Sequence, residues 1–340
     1  MTDSKPTAGK TPALKQPPVL FDRTQKLIKK IDGMLDGDLI TYWNNPGGSV
    51  CSNDVMGFYQ MLERTGPKKK LYLFLKSNGG NGQASLRIVS LLRRYCDELV
   101  ALIPLECASA ATMIALGADK LIMGPMAYLT AVDTSITHKL SPVDRDNNRV
   151  SVSLDALNRV IKLWRDEKDS HTDNPYQSLF QHIHPLVIGD ADRSNSLSVK
   201  LSRDILSFHI EDGAAIEKIS HALNTWYPSH SYPIILREAQ AVGLNAVEMD
   251  SETHDLLLDL NEVYSEMGQR ATTDFDTSKY HNNEILNIIE TKNLQLYYQV
   301  DKDWQYITEE RRWKGLNDNS GWRKLELEKG KVSKSRFHIS

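Results

Sequence analysis

One stretch, Leu99 to Pro125, constrains the fold of this chain more than any other; it reads LVALIPLECASAATMIALGADKLIMGP. Its first residues, Leu99 to Pro104, run apolar without polar alternation, the pattern of a strand buried on both faces. Small residues follow, Cys107, Ala108, Ser109, Ala110 and Ala111, and they open a segment of helical periodicity that ends near Gly117. A second apolar strand, Lys120 to Met123, comes next, and Pro125 stops it. A serine at such a strand-to-helix junction sits where unpaired backbone N–H groups and the helix dipole favour negative charge. Small neighbours also let a substrate backbone approach closely. Ser109 is therefore a candidate nucleophile. The same pattern suits an ordinary N-cap serine in a tightly packed turn, so the rest of the chain has to discriminate.

A second junction lies upstream. The apolar strand LYLFL, residues 71 to 75, runs into Lys76-Ser77-Asn78-Gly79-Gly80-Asn81-Gly82-Gln83, and a helix is predicted from about Ala84 to Tyr95. Glycines let backbone amides turn outward in conformations closed to other residues. Amides at a helix start make an anion or oxyanion site. No Walker lysine follows, and the dinucleotide-binding glycine pattern is incomplete. From Leu71 to Met123 the order is strand, helix, strand, helix, strand, and right-handed crossovers bring both junctions to one sheet edge. The Gly-Gly turn and Ser109 are thus expected to face one cleft.

At these residues the chain resembles a known family. LFLKSNGG resembles the strand and glycine turn of the Clp protease proteolytic subunit and the crotonase superfamily, and CASAATMIALGADKLIMGPMAYLTAVD resembles the Ser-Ala-Gly-Thr segment of the signal peptide peptidase group. With HSYPIILREAQAVGL, residues 230 to 244, the resemblance is greatest to the serine dehydrogenase proteinase family and covers about residues 36 to 250. Asn78 stands where proline is common and Ala111 where glycine is common; neither replaces a reacting group. The resemblance implies an α/β, Clp/crotonase-like fold of repeated ββα units with helical additions and a small C-terminal extension. It also implies a cytoplasmic homo-oligomeric serine peptidase that acts on peptides or proteins and needs no cofactor. Ser109 is then the nucleophile, with the oxyanion hole drawn from Gly79, Gly80 and Ala110. "Dehydrogenase" in the family's name is no sign of redox chemistry here.

The general base is less legible. Clp-like enzymes carry a histidine soon after the strand that follows the serine helix, but here no histidine appears until His138. Signal peptide peptidases use a lysine, for which Lys139 and Lys162 are available; Lys162 lies in an amphipathic pattern and reads as a solvated face. His230, just before Tyr232-Pro233, is the favoured candidate over Lys139, positioned to reach Ser109 or to pair with Asp133. Its ordinary pKa suits proton transfer near neutrality. His182 and His184 are spaced i, i+2 in a helical context without an acidic partner, and read as structural or substrate-lining residues; no metal site is expected.

The remaining chain sets the organisation. Residues 1–20, rich in lysine and proline, read as a disordered arm. Residues 21–250 form the peptidase domain, 251–328 a helical and β-rich extension, and 329–340 a basic tail. A helix is expected from about Asp22 to Gly33, a strand over Asp38 to Trp43, and a mobile turn at Gly47-Gly48. Trp304, Trp313 and Trp322, spaced nine apart, mark a small core, successive hairpin strands or a recognition surface. With 340 residues, 40% hydrophobic and a net charge of −3, the chain gives no sign of a nucleic-acid partner. No apolar run approaches the roughly 20 residues of a membrane span. Cys51, Cys96 and Cys107 have no metal-ligand spacing and cannot all pair, which suits a reducing compartment. Two other functions stay open: a crotonase-type acyl-CoA enzyme, and a catalytically silent scaffold.

Overall fold

A computed structural model describes residues 12–133, 135–145, 148–166 and 174–339. The chain opens with α1 (Phe21–Asp32), β1 (Asp38–Asn44), α2 (Asp54–Thr65) and β2 (Lys68–Lys76). Next come α3 (Gly82–Leu92), β3 (Cys96–Ile103), the two-residue β4 (Glu106–Cys107), α4 (Ala110–Ala115) and β5 (Lys120–Met123). Short strands β6 (Tyr128–Leu129), β7 (Ser135–Ile136) and β8 (Val152–Ser153) lead to α5 (Leu154–Asp166), α6 (Pro175–Phe180), α7 (Pro185–Leu206), α8 (Gly213–Thr225) and α9 (Leu236–Val242). Then follow β9 (Ala246–Glu248), α10 (Ser251–Met267), β10 (Ala271–Asp276), β11 (Lys279–Thr291), β12 (Leu294–Ile307), β13 (Arg312–Asp318), β14 (Gly321–Glu328) and β15 (Lys331–Phe337).

The protein is a mixed α/β structure built on one large mixed sheet, ordered β15-β14-β12-β11-β1-β2-β3-β5-β9, with β10 added on β11 and β13 on β12. Strands β1, β2, β3, β5 and β9 are parallel. Their unbroken apolar runs follow from burial on both faces. Along β3, Leu99, Ala101 and Ile103 join one core, which also takes in Phe58 of α2, Ile88 of α3 and Ile205 of α7. Val100 and Leu102 point into the other, with Ile28 of α1 and Leu257 of α10. The helix start at Gly82 rather than Ala84 follows from Asn81, whose Oδ1 accepts the Ala84 N–H at 2.8 Å. No helix among the described residues is long and apolar enough to cross a membrane.

Several expectations change. The C-terminal extension is no separate appendage: β11 pairs antiparallel with β1, matching Thr41 to Glu290, and Leu294, Leu296 and Trp322 enter the main core. Burial of Ile288 and Ile289 on opposite faces is what draws this strand into the sheet. The basic tail is β15, paired with β14 from Lys331 to Phe337; its lysines charge an exposed edge, which discourages further strand addition. Of the N-terminal arm, residues 1–11 lie outside the described residues. Residues 12–20 are seated, with the Lys15 N–H donating to Thr273 Oγ1 at 2.9 Å and Pro17 buried. The Gly47-Gly48 turn is fixed, not mobile, because Asn45 Oδ1 accepts both N–H groups at 2.7 and 2.8 Å. The three tryptophans sit on successive strands. Trp322 is core, while Trp304 and Trp313 cluster with Tyr280.

Candidate active site

The two junctions meet. Ser77 bridges Cys107 in parallel: the Ser77 N–H donates to Glu106 O at 3.1 Å and the Ala108 N–H to Ser77 O at 2.9 Å. The side chains beside this bridge reinforce it, since buried Lys76 places Nζ 2.9 Å from Glu106 Oε1 and donates to Asn44 O at 3.0 Å. Beyond Ser77 the backbone turns through Gly79 at φ +101° and Gly80 at φ +145°. A Cβ on Gly79 would stand 2.7 Å from both Ala108 O and Ser109 Cβ, so only glycine lets the two turns pack this closely.

Ser109 itself has φ 53° and ψ −117°, a conformation rarely open to a residue with a side chain, and α4 begins at the next residue. A strained serine on a sharp strand-to-helix turn presents its hydroxyl outward, as nucleophile elbows do. Such strain costs about 1–3 kcal/mol and persists only where the surroundings enforce it. Among the described residues, Ser109 Oγ and the N–H groups of Gly80 and Ala110 have no hydrogen-bond partner. All three residues line one cavity of about 250 Å³. Gly79 does not act as a third donor; its N–H is turned to Ser77 Oγ at 3.1 Å. Its contribution is steric.

The cavity wall is mostly apolar, with Met113 of α4, Val132, and Leu197 and Leu201 of α7. Ser198, also on α7, ties that helix to the wall by donating to Val132 O at 2.5 Å. No acidic, basic or histidine side chain lines the cavity among the described residues. Asp133, directly after Val132, holds His230 with Oδ1 2.9 Å from Nδ1. This hydrogen bond raises the His230 pKa from its ordinary 6.5, against the opposing effect of burial. His230 is half exposed and lies outside the cavity lining.

The other candidates lie elsewhere. Lys139 is exposed and outside the lining; its carbonyl accepts from Arg149. His138 faces Asp190 at 3.5 Å, Lys162 is exposed on α5, and His182 is exposed before α7. His184 caps α7, its Nδ1 accepting the Leu186 N–H at 3.2 Å. Burial pushes the Cys51 and Cys96 thiols up to about 11 and Cys107 higher, so none is a ready thiolate. Among the described residues, no group of three or more His, Cys, Asp or Glu residues is placed to hold a metal ion. Sequence reasoning missed Thr130, whose Oγ1 accepts the Ser109 N–H at 2.8 Å. Nothing in its local pattern, YLTAVD, marks that contact.

No family model matches the chain. The uncharacterized protein MJ0137 of Methanocaldococcus jannaschii is 25% identical over 217 residues, 62% of this chain and 65% of that protein. The chain thus spans 65% of the length of that relative, short of two-thirds. Similar solved structures include the 1510-N membrane-bound stomatin-specific protease as a serine-to-alanine mutant, with TM-score 0.39 and 13% identity over 68% of this chain and 84% of that one. A lysine-to-alanine mutant of the same protease, in complex with a substrate peptide, gives TM-score 0.38 and 15% identity over 69% and 83%.

Proposed function

We propose that the protein is a serine peptidase of the Clp/crotonase-like kind, related to the serine dehydrogenase proteinases, with Ser109 as nucleophile. The observation that carries this reading is the convergence of a strained serine and two unpaired amides, Gly80 and Ala110, on one cavity. Ser109 Oγ attacks the scissile carbonyl, and the carbonyl oxygen takes up charge between the two amides. Each such donor is worth about 3 kcal/mol of transition-state stabilisation. The intermediate collapses to an acyl-enzyme with release of the amine, and water then hydrolyses the ester. An extended substrate lies along the strand edge beside Gly79-Gly80.

His230 serves as the base in this reading. Asp133 binds its Nδ1, which leaves Nε2 as the proton acceptor, the polarity a triad requires. His230 must then move inward from its place outside the cavity when substrate binds. Exposed Leu163 of α5 and Leu186 of α7 suit coverage by a second copy of the chain, in keeping with a homo-oligomer. Among the described residues the cavity offers neither a carboxylate nor a basic group, which disfavours the acyl-CoA reading. A silent scaffold is the second reading, and the same lack of a titratable wall favours it.

Fluorophosphonate labelling across pH separates the readings. Labelling of the wild type that is lost in Ser109→Ala and His230→Ala, and kept in Lys139→Ala, supports the Ser-His peptidase. Loss in Lys139→Ala with retention in His230→Ala moves the base to the lysine. A folded wild type that never labels points to the scaffold.

A further inference from the structure

We infer that Thr130 is a positioning residue that holds Ser109 in its strained conformation and fixes the elbow against the segment carrying Asp133; its role in catalysis rests on the peptidase reading above. A serine at φ 53° relaxes unless its backbone is held on both sides. Gly79 supplies one side by close contact with Ala108 and Ser109. The other side is a pair of threonine hydroxyls, both buried to 3% exposure or less. Thr130 Oγ1 accepts the Ser109 N–H at 2.8 Å and donates to Ala131 O at 3.1 Å. The Thr130 N–H donates to Thr112 Oγ1 at 3.2 Å, and the Thr112 hydroxyl donates to Cys107 O at 2.7 Å. The chain of bonds therefore grips the elbow at Cys107 and at Ser109, two residues apart, and every donor in it has an acceptor.

This arrangement has a consequence for the amides. With the Ser109 N–H committed to Thr130, the Ala110 N–H at the start of α4 is a donor without a partner among the described residues, and Ala110 lines the cavity with Gly80. Losing the Thr130 hydroxyl leaves the Ser109 N–H without its acceptor in a part-buried setting, and an unpaired donor there favours rearrangement. The geometry also links the elbow to the proposed base, because Asp133 lies only three residues beyond Thr130. At about 3.5 Å per residue, a rigid Thr130 limits how far Asp133 and His230 stray from Ser109.

The test compares wild type, Thr130→Val and Thr130→Ser by crystal structure, thermal melting and fluorophosphonate labelling rate. Valine keeps the shape and removes the acceptor; serine restores it. Thr130→Val should fold, let Ser109 leave the left-handed region, and slow labelling at least tenfold, while Thr130→Ser keeps the wild-type backbone and labels within about threefold of wild type, as the loss or retention of one hydrogen bond to a part-buried amide sets the scale of both effects. Should valine prevent folding, Thr130→Ala supplies the same comparison. A Thr130→Val structure in which Ser109 keeps its wild-type φ, or a wild-type labelling rate in that variant, overturns the inference. If wild type never labels but Ser109 relaxes in Thr130→Val, the positioning role stands and the peptidase reading falls.

Discussion

Asp133 Oδ1 meets His230 Nδ1 at 2.9 Å across 97 residues of sequence, joining the segment that returns past the serine turn after β6 to the loop before α9. Among the described residues the imidazole's second nitrogen has no partner, and the Asp133 carboxylate favours the protonated ring.

The first prediction concerns this titration. Because the His230 pKa is raised in the folded state, the pair stabilises the protein fully below about pH 6.5, the unfolded value, and loses that contribution as pH rises through the folded value. The exposed position of His230 keeps the effect on stability small. Histidine NMR titration should put the His230 midpoint above 6.5 in wild type and return it toward 6.5 in Asp133→Asn. If His230 is the base, fluorophosphonate labelling rises with pH through the same midpoint, and the Asp133→Asn profile shifts to lower pH. A midpoint unmoved by Asp133→Asn would show that the pair does not form in solution.

A second prediction tests the glycine contact. Gly79→Ala drives a methyl group to 2.7 Å from the Ala108 carbonyl and Ser109 Cβ, at a φ of +101° that alanine avoids. It should lower stability by about 2–4 kcal/mol and abolish labelling, since backbone rather than a flexible side chain must yield. Gly82→Ala is the control: there the new methyl meets Met113 Sδ at 2.9 Å and Leu201 Cδ1 at 3.3 Å, both ends of flexible side chains. Urea denaturation and labelling of the two variants should separate clearly, with Gly82→Ala much nearer wild type.

A third prediction comes from buried Glu290, which links α1 to the sheet. Its carboxylate accepts from Thr24 Oγ1 at 2.6 Å, Gln25 Nε2 at 2.8 Å, Tyr264 OH at 2.8 Å and Gln295 Nε2 at 2.7 Å. Burial nonetheless pushes its pKa up to about 7 from 4.5, the hydrogen bonds only partly offsetting desolvation. A carboxyl with a raised folded pKa contributes most below pH 4.5 and loses that contribution as pH climbs through 7, on the order of 3 kcal/mol. Glu290→Gln cannot titrate. Its stability deficit relative to wild type should therefore be larger at pH 5 than at pH 8, as read by urea denaturation. A deficit that does not change with pH would mean that Glu290 is ionised throughout that range.

How far these features could be read in advance depends on the range over which each is determined. The strand-turn-helix pattern around Ser109 and the Gly79-Gly80 turn are local, set by apolar runs and small residues, and their meeting follows from crossover geometry. The helix start at Gly82 is also local, but it depends on the Asn81 cap. Thr130 is different. Its contact with Ser109 is decided by where the chain returns after β5, which no local pattern records. The same holds for the C-terminal strands. Their sequence reads as a β-rich extension, yet Ile288, Ile289 and Leu296 are buried because β11 pairs with β1 and β12 with β11. His230 was legible as a partner for Asp133, whereas its distance from the cavity depends on the packing of the loop before α9.

A last prediction follows from the strain at Ser109. Its φ of 53° with ψ of −117° is costly for serine and open to glycine. Ser109→Gly should therefore raise stability by about 1 kcal/mol or more, even though glycine also gains entropy in the unfolded chain. In a chain this large that is a rise of a few degrees in melting temperature. Ser109→Ala removes the hydroxyl but keeps the Cβ, so it relieves little strain and should melt close to wild type. Both variants lose labelling. A residue kept for packing alone would give the opposite order, with glycine the less stable of the two, because a shortened side chain leaves a void and loosens the start of α4. Greater stability in Ser109→Gly than in Ser109→Ala would mean that the turn holds its serine against the backbone's own preference, as expected where the hydroxyl's position is selected for chemistry.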